Sequence, residues 1–314
     1  MKNITVDILL ATYNGEQYLS TQLNSIIEQS HTNWIIYARD DGSTDKTRDI
    51  LYDYKNKYPE KIFLVEDDKK NVGARENFSI LMATSQSNYI FFSDQDDFWL
   101  PSKIEKSLDK LLEIENKQPH IPCFVFSDLS MADENLNITA PSLWKKDKLN
   151  PKAISLGNLL MQNVPYGCAM AINKALLKLG TPIHPKAILH DHWLVLLAAS
   201  NGRIDYLPIP TILHRIHHQN ASRGADPLKK EISDDLNSIV SNKNLNIYLK
   251  KLQNQAKGIK ERLEERKIGI ENIATLNAFI GLKEQPLLLR KYNFIKYRFF
   301  KNQLKQTIKW LIRI

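Results

Sequence analysis

An α/β fold, a mostly parallel sheet with helices on both faces, is what this sequence predicts. Three observations lead there. Short apolar runs alternate with apolar stripes at helical spacing as far as Glu115. The composition, 43% hydrophobic and 25% charged over 314 residues, is that of a folded protein and excludes disorder as the dominant state. The longest apolar stretches, such as 193–199, fall far short of the roughly 20 residues that cross a bilayer.

The elements follow in order. Residues 7–12 (DILLAT) form a short apolar run and predict the first strand. A helix is expected over 15–30, with Tyr18, Leu23, Ile26 and Ile27 on one face. Residues 34–38 read as a strand, and Ser43 precedes a helix to Tyr58 with Ile50, Leu51 and Tyr54 at helical spacing. A third strand spans 62–65, a helix 73–83, and a fourth strand 89–92 (YIFF). The helix over 101–115 opens with a Pro near its first turn and carries Ile104, Leu108, Leu111 and Leu112 as one stripe. Strands are then expected at 123–127, 167–172, 204–207 and 212–216, the last two separated by Pro208 and Pro210. A helix fills 190–201, residues 131–150 are polar and irregular, and charged helices occupy 236–267 and 294–312.

Charge divides the chain. Residues 1–223 carry 24 Lys and Arg against 26 Asp and Glu; residues 224–314 carry 19 against 9. We expect a body over 1–223 and a basic helical region over 224–314 that is drawn to an anionic surface. Two distant cysteines, Cys123 and Cys168, make a poor disulfide scaffold and suit a reduced, cytoplasmic setting. The N-terminus does not read as a signal peptide.

In open α/β sheets, ligands bind beyond the carboxyl ends of the strands. Four polar places stand there or nearby. Thr12-Tyr13-Asn14-Gly15-Glu16 follows the first strand, and its small and flexible residues permit close approach of a ligand or cap the next helix. Arg39-Asp40-Asp41-Gly42-Ser43-Thr44-Asp45 follows the second; a carboxylate here accepts from the imide N–H of a uracil or thymine base, and Ser43 or Thr44 is expected to cap a helix. Asp94, Asp96 and Asp97 crowd the end of the fourth strand between apolar flanks, which calls for a divalent cation that also binds a diphosphate. The fourth place is split between His190-Asp191-His192 and Arg215-Ile216-His217-His218, where Asp191 is alternatively an N-cap and His217 a solvated loop residue.

The motifs ATYNGE at 11–16, RDDGSTD at 39–45, FFSDQDDFWLPSKI at 91–104 and HDHWL at 190–194, in this order, resemble family 2 of the glycosyltransferases. The resemblance covers 4–220 and implies the GT-A fold, a mixed sheet flanked by helices, followed here by a C-terminal helical extension. The FFSDQDD–W–P–K pattern is most similar to bacterial rhamnosyltransferases of surface polysaccharide (rhamnan) synthesis, as is the tail sequence at 288–300. It implies that Ala11, Thr12, Tyr13, Glu16, Asp41, Arg75 and Asp94 bind the nucleotide sugar. It further implies that Asp96 holds Mg²⁺ or Mn²⁺ with His217, and that Asp191 is the catalytic base. His218 is an alternative to His217, because the last motif departs from the family's usual Tyr-Arg-Gln-His-Gly. Tyr166, where relatives carry a small residue or Pro, bears on the acceptor.

The implied reaction transfers a sugar, L-rhamnose from dTDP-L-rhamnose or a sugar from a UDP donor, onto a lipid-linked glycan acceptor with inversion at the anomeric carbon. A sugar nucleotidyltransferase would need a Gly-rich, cationic phosphate loop after the first strand, which 12–16 lacks; a non-catalytic assembly partner would need neither Asp96 nor Asp191. Residues 290–314 hold eight Lys or Arg and no acid, beside a stripe of Phe300, Leu304, Ile308 and Leu311. They predict an amphipathic helix on an anionic membrane, at the inner face of the plasma membrane, with Trp310 at the interface. The alternative is a helix packed on the body or at a homodimer contact. No recognition motif for nucleic acid is present.

Overall fold

The computed structural model describes residues 3–217 and 242–313. The expected boundary near 223–224, and His218, lie outside the described residues. The first half alternates as the apolar pattern requires: β1 (Val6–Thr12), α1 (Leu19–Ile27), β2 (Trp34–Asp40), α2 (Thr47–Lys57), β3 (Ile62–Leu64), α3 (Gly73–Thr84) and β4 (Tyr89–Ser93). The short β5 (Phe98–Trp99), then α4 (Lys103–Lys117), β6 (Cys123–Ala132), β7 (Ile138–Ala140), α5 (Leu143–Lys146) and α6 (Leu156–Met161) follow. Next come β8 (Met170–Asn173), α7 (Lys174–Gly180), α8 (His190–Asn201) and β9 (Arg203–Arg215). The C-terminal helices are α9 (Asn242–Arg266), α10 (Ile273–Ile280), α11 (Leu287–Lys296) and α12 (Leu304–Arg313).

One sheet runs in the order β3-β2-β1-β4-β8-β6-β9-β5, with β7 paired to β6. β3, β2, β1 and β4 are mutually parallel, but β8 enters antiparallel between β4 and β6, so the whole sheet is mixed. Side chains alternate across it with period two. Val6, Ile8 and Leu10 of β1 face the layer of α1, α2 and α4, while Leu9 faces the layer of α3, α6 and α8. The second layer also buries Leu249, Leu252, Ala256 and Ile259 of α9 and Phe279 of α10, so the basic C-terminal helices share a core with the sheet.

Three expectations are corrected. The two strands about Pro208 and Pro210 are one, β9, running parallel to β6 with register shifts beside Asp128. β5 pairs β9 only at Ile212 and Leu213, so the prolines, which have no N–H to give, sit where one edge is open. Neither Ser43 nor Thr44 caps α2: Ser43 bonds Asp40, and Asp45 instead accepts from Thr47 N at 3.0 Å. The expected last helix is two, because the chain turns at Arg298 in the left-handed region (φ 56°).

Candidate active site

The carboxyl ends of β1, β2 and β4 lie side by side, so the loops at Thr12, Asp40 and Asp94 meet at one edge of the sheet. Hydrogen bonds tie the first two loops together. The Thr12 hydroxyl donates to Asp40 Oδ1 at 3.1 Å, Asn14 N to Ser43 Oγ at 2.8 Å, and Gly15 N to Thr47 Oγ1 at 2.7 Å. Glu16 accepts from Lys46 N at 2.8 Å and so holds the start of α2. Ala11 is half-buried at the end of β1, paired in register with Arg39.

Asp41 is buried and accepts from Val72 N at 3.0 Å and Gly73 N at 2.8 Å, at the start of α3. Arg39, also buried, bridges Asp41 at 3.2 Å and Asp67 at 2.7 Å. The second loop is thereby fixed before any base arrives. Arg75, on α3, donates to the carbonyls of Pro185 at 2.7 Å and Ala187 at 3.2 Å, and so holds the segment that leads into α8.

Tyr13 is 48% exposed, and its main chain is gripped by a side chain that the sequence did not single out. Gln95 Oε1 accepts from Tyr13 N at 2.7 Å while Gln95 Nε2 donates to Tyr13 O at 2.8 Å. A Cβ at Gly15 would lie 2.4 Å from the Gln95 amide, which explains a glycine there.

The acidic loop is organised by the end of β9. His217 Nε2 donates to Asp96 Oδ2 at 2.8 Å, and its ring lies 4.6 Å from that of Tyr18. Arg215 donates through Nε to the Asp96 carbonyl at 2.9 Å, and its guanidinium covers Tyr18 at 4.5 Å. Burial, and then the charges of Asp97 and Asp96, raise the pKa of Asp94 well above the ordinary carboxylate range. Its side chain accepts no hydrogen bond among the described residues. Two clustered carboxylates, one without a partner, plus an imidazole form an oxygen-rich donor set that suits Mg²⁺ or Mn²⁺.

Asp191 is buried in the first turn of α8, which starts at His190, so it is not the N-cap. Its Oδ1 accepts from His192 N at 2.7 Å and its Oδ2 from Asn163 Nδ2 at 2.9 Å. Its charge also raises the pKa of Asp94, so the two carboxylates are electrostatic neighbours. Beneath it, His190 is wholly buried against the rings of Phe78 at 3.9 Å and Phe92 at 5.5 Å. Among the described residues neither ring nitrogen of His190 has a hydrogen-bond partner, and burial pulls its pKa down to about 4.

The structure therefore brings Asp96 and His217 into contact and places Asp94 within electrostatic reach of Asp191. Gln95, His214 and Asn163 were not expected in the site, and Asp97 and Arg215, which stood in two of the expected places, had no role of their own. The one local hint was weak: Lys103 sits in the first turn of a helix, where the helix dipole disfavours a cation.

Comparison with known proteins shows the family and the fold. The model of glycosyl transferase family 2 matches residues 7–177. Among curated relatives, the dTDP-rhamnosyl transferase RfbG of Shigella flexneri is 31% identical over 222 residues, covering 67% of this chain and 72% of that protein. The UDP-Glc:alpha-D-GlcNAc-diphosphoundecaprenol beta-1,3-glucosyltransferase WfgD of Escherichia coli is 30% identical over 113 residues, 36% of this chain and 43% of that one. Among solved structures, TarS 1-349 of S. aureus in complex with UDP-GlcNAc superposes with a TM-score of 0.57 at 16% identity, covering 94% of this chain and 80% of that one. The mannosyltransferase PcManGT of Pyrobaculum calidifontis, in complex with GDP-Man and Mn2+, gives 0.52 at 13% identity over 98% and 83%. The sheet order, the acidic loop at its edge and these matches lead to one conclusion: the chain belongs to glycosyl transferase family 2 and is a glycosyltransferase enzyme on the GT-A fold.

Proposed function

We propose that the protein transfers a sugar, L-rhamnose from dTDP-L-rhamnose, with inversion onto a lipid-linked glycan acceptor in surface polysaccharide synthesis. The observation that carries the reading is the convergence of Asp94 and the bonded Asp96–His217 pair at one sheet edge, with Asp191 within electrostatic reach. A family relative named for dTDP-rhamnose supports the donor. A second relative, named for a UDP-Glc donor and a diphosphoundecaprenol-linked acceptor, supports a lipid-linked acceptor and keeps a UDP-sugar as the second donor class.

The chemistry follows from where the charges lie. Asp41 would accept the imide N–H of the base, beside Ala11, Thr12 and the exposed Tyr13. Asp96, with Asp94 and His217, would hold Mg²⁺ or Mn²⁺, which when bound offsets the charge that develops on the departing diphosphate. The acceptor hydroxyl loses its proton to an Asp191 oxygen as its own oxygen bonds the anomeric carbon. The bond from that carbon to the diphosphate oxygen breaks on the opposite face, so the configuration inverts. Asn163, which donates to Asp191 Oδ2, leaves Oδ1 as the oxygen with only a local backbone partner.

Asp191→Asn tests the base: transfer should fall by about 10²–10⁴-fold while dTDP binding with Mn²⁺ persists. Transfer near the wild-type rate would end the assignment. Asp96→Ala tests the cation: affinity for dTDP should lose its dependence on Mn²⁺, and an affinity that EDTA never altered would end that reading.

The same proposal sets the enzyme on an anionic membrane surface, at the inner face of the plasma membrane. No helix among the described residues is long and apolar enough to cross a membrane. Phe294, Phe299 and Trp310 pack inward, Trp310 against Tyr248, so the tryptophan is not the interfacial residue expected from sequence. What faces out is Leu288 (83% exposed), Tyr292 and Ile295 of α11, and Leu304 (73%), Ile308 and Ile312 (75%) of α12. These recur at three- and four-residue spacing, among Lys291, Lys296, Lys305 and Lys309. A homodimer through this face would oppose like charges, whereas anionic lipid complements them. Flotation on phosphatidylglycerol vesicles should be lost when Leu288, Leu304 and Ile312 become Ser. Equal flotation of both proteins would remove the membrane from the proposal.

A further inference from the structure

The acidic loop holds one carboxylate more than the cation reading uses. Asp97 is fully buried. Its Oδ1 accepts from His214 Nδ1 at 2.7 Å and, at 3.4 Å, from Arg215 N, both at the end of β9. Its Oδ2 accepts no hydrogen bond among the described residues. A fully buried carboxylate facing away from solvent needs a counter-charge.

The bonded His214 is one partner, at 2.7 Å, and Lys103 is a further cation within electrostatic reach of Asp97. Lys103 is fully buried at the start of α4, with Nζ 4.7 Å from the Trp99 ring centroid and, among the described residues, without a hydrogen-bond partner. Burial pulls its pKa down to about 8, and only the charges of Cys168 and Asp97 lean the other way. An Asp97 oxygen, Cys168 Sγ and a His214 ring nitrogen lie within 4.8 Å of one another, a set that by itself would suit a cation. The Lys103 ammonium, within electrostatic reach of Asp97 and Cys168, already brings a positive charge.

We propose that Asp97 is a positioning residue and not a metal ligand. Bonded to His214 and balanced by the buried Lys103, it locks the 94–97 loop to β9 so that Asp94 and Asp96 are held at the cleft. The three carboxylates thus divide their work: one is neutralised permanently inside the protein, and two are left for the donor complex. Arg215 on the Asp96 carbonyl and His217 on the Asp96 carboxylate belong to the same clamp, since all four bonds join residues 214–217 to residues 96–97.

This inference rests on the cation reading for its metal part but not for its charge pair, and the test separates them. The full chain is compared as wild type, Asp96→Ala, Asp97→Leu, Lys103→Met and Asp97→Leu/Lys103→Met, by thermal unfolding and by calorimetric titration of Mn²⁺ with dTDP. Asp97→Leu leaves Lys103 unbalanced and should lower Tm by roughly 5 °C or more, or prevent folding. Adding Lys103→Met should restore most of that loss. A double variant no more stable than Asp97→Leu alone would overturn the charge pair. The folded double variant should bind Mn²⁺–dTDP roughly 10–100-fold more weakly than wild type, as expected when an outer partner of a metal site is lost. Binding abolished as in Asp96→Ala would make Asp97 a ligand, and unchanged binding would make the clamp irrelevant; either result overturns the positioning role. Stoichiometric zinc in the purified protein, released by Cys168→Ala, would overturn it as well. A wild type that binds no Mn²⁺–dTDP would overturn the cation reading and the positioning role together, while the Tm comparison still judges the pair.

Discussion

Gly167 offers a way to move the proposed base without touching it. A Cβ added there would sit 2.6 Å from His190 Nε2 and 2.9 Å from its Cε1, with Asp191 Cβ at 3.7 Å. Ordinary contact begins at 3.4 Å. The imidazole cannot retreat, because Phe78 and Phe92 pack against it at 3.9 and 5.5 Å between centroids. The start of α8, which carries Asp191, must therefore give way in Gly167→Ala. Overpacking of this kind costs about 1–3 kcal/mol. If the loss falls on alignment of the base, kcat drops roughly five- to 150-fold, since about 1.4 kcal/mol is a decade in rate. Initial rates with dTDP-rhamnose and a glycan acceptor read this directly, alongside calorimetric affinity for dTDP with Mn²⁺, which should stay within about twofold of wild type. Gly167→Ala/His190→Ala removes the obstructing ring and should recover part of kcat. A wild-type kcat in Gly167→Ala, or an affinity that falls in step with the rate, refutes the reasoning.

Three further outcomes follow from particular contacts. His190 titrates near 4 in the folded protein against about 6.5 when unfolded, so the unfolded chain binds more protons between those values and stability falls as pH drops. From pH 7 to 5 this group alone should cost about 2 kcal/mol in urea unfolding; His190→Leu should flatten that slope, and an equal slope would contradict it. Gln95→Ala releases both bonds to the Tyr13 main chain. It should raise the donor KM several-fold with kcat little changed, and the reverse split would show that the clamp serves the chemical step. Trp310→Ala removes the ring that packs on Tyr248 and covers Lys301 at 5.2 Å, so tryptic cleavage after Arg298 and Lys301 should accelerate, as followed by mass spectrometry. Unchanged cleavage would mean that α12 is not anchored there.

Local signals sufficed where one element decides its own fate. The alternating first half, α8 at His190–Asn201 and the polar residues at strand ends were all legible, because periodicity reports which face of an element is buried. The acidic cluster and Asp191 were visible as anomalies, carboxylates too crowded or too close to apolar flanks to be ordinary surface. β9 was misread as two strands, because prolines break a ladder only where both edges are paired, and its pairing partners are far away in sequence.

What the chain could not declare on its own is which long-range partner each polar group finds. Asp97 and Lys103 read as one more loop acid and one more helix cation until β9, more than 110 residues on, delivers His214 to the same place. Gln95 reads as a spacer until β1 and β4 pair and set Tyr13 beside it. The apolar stripe at the C-terminus predicted an amphipathic surface, but only packing against Tyr248 and the α9 layer decided that Trp310 turns inward and Leu304 and Ile312 remain outside. Sequence determined the elements and the chemistry available, since both depend on spacing and residue type. Tertiary structure assigned each charge its counterpart, since pairing energies depend on distance through space and not along the chain.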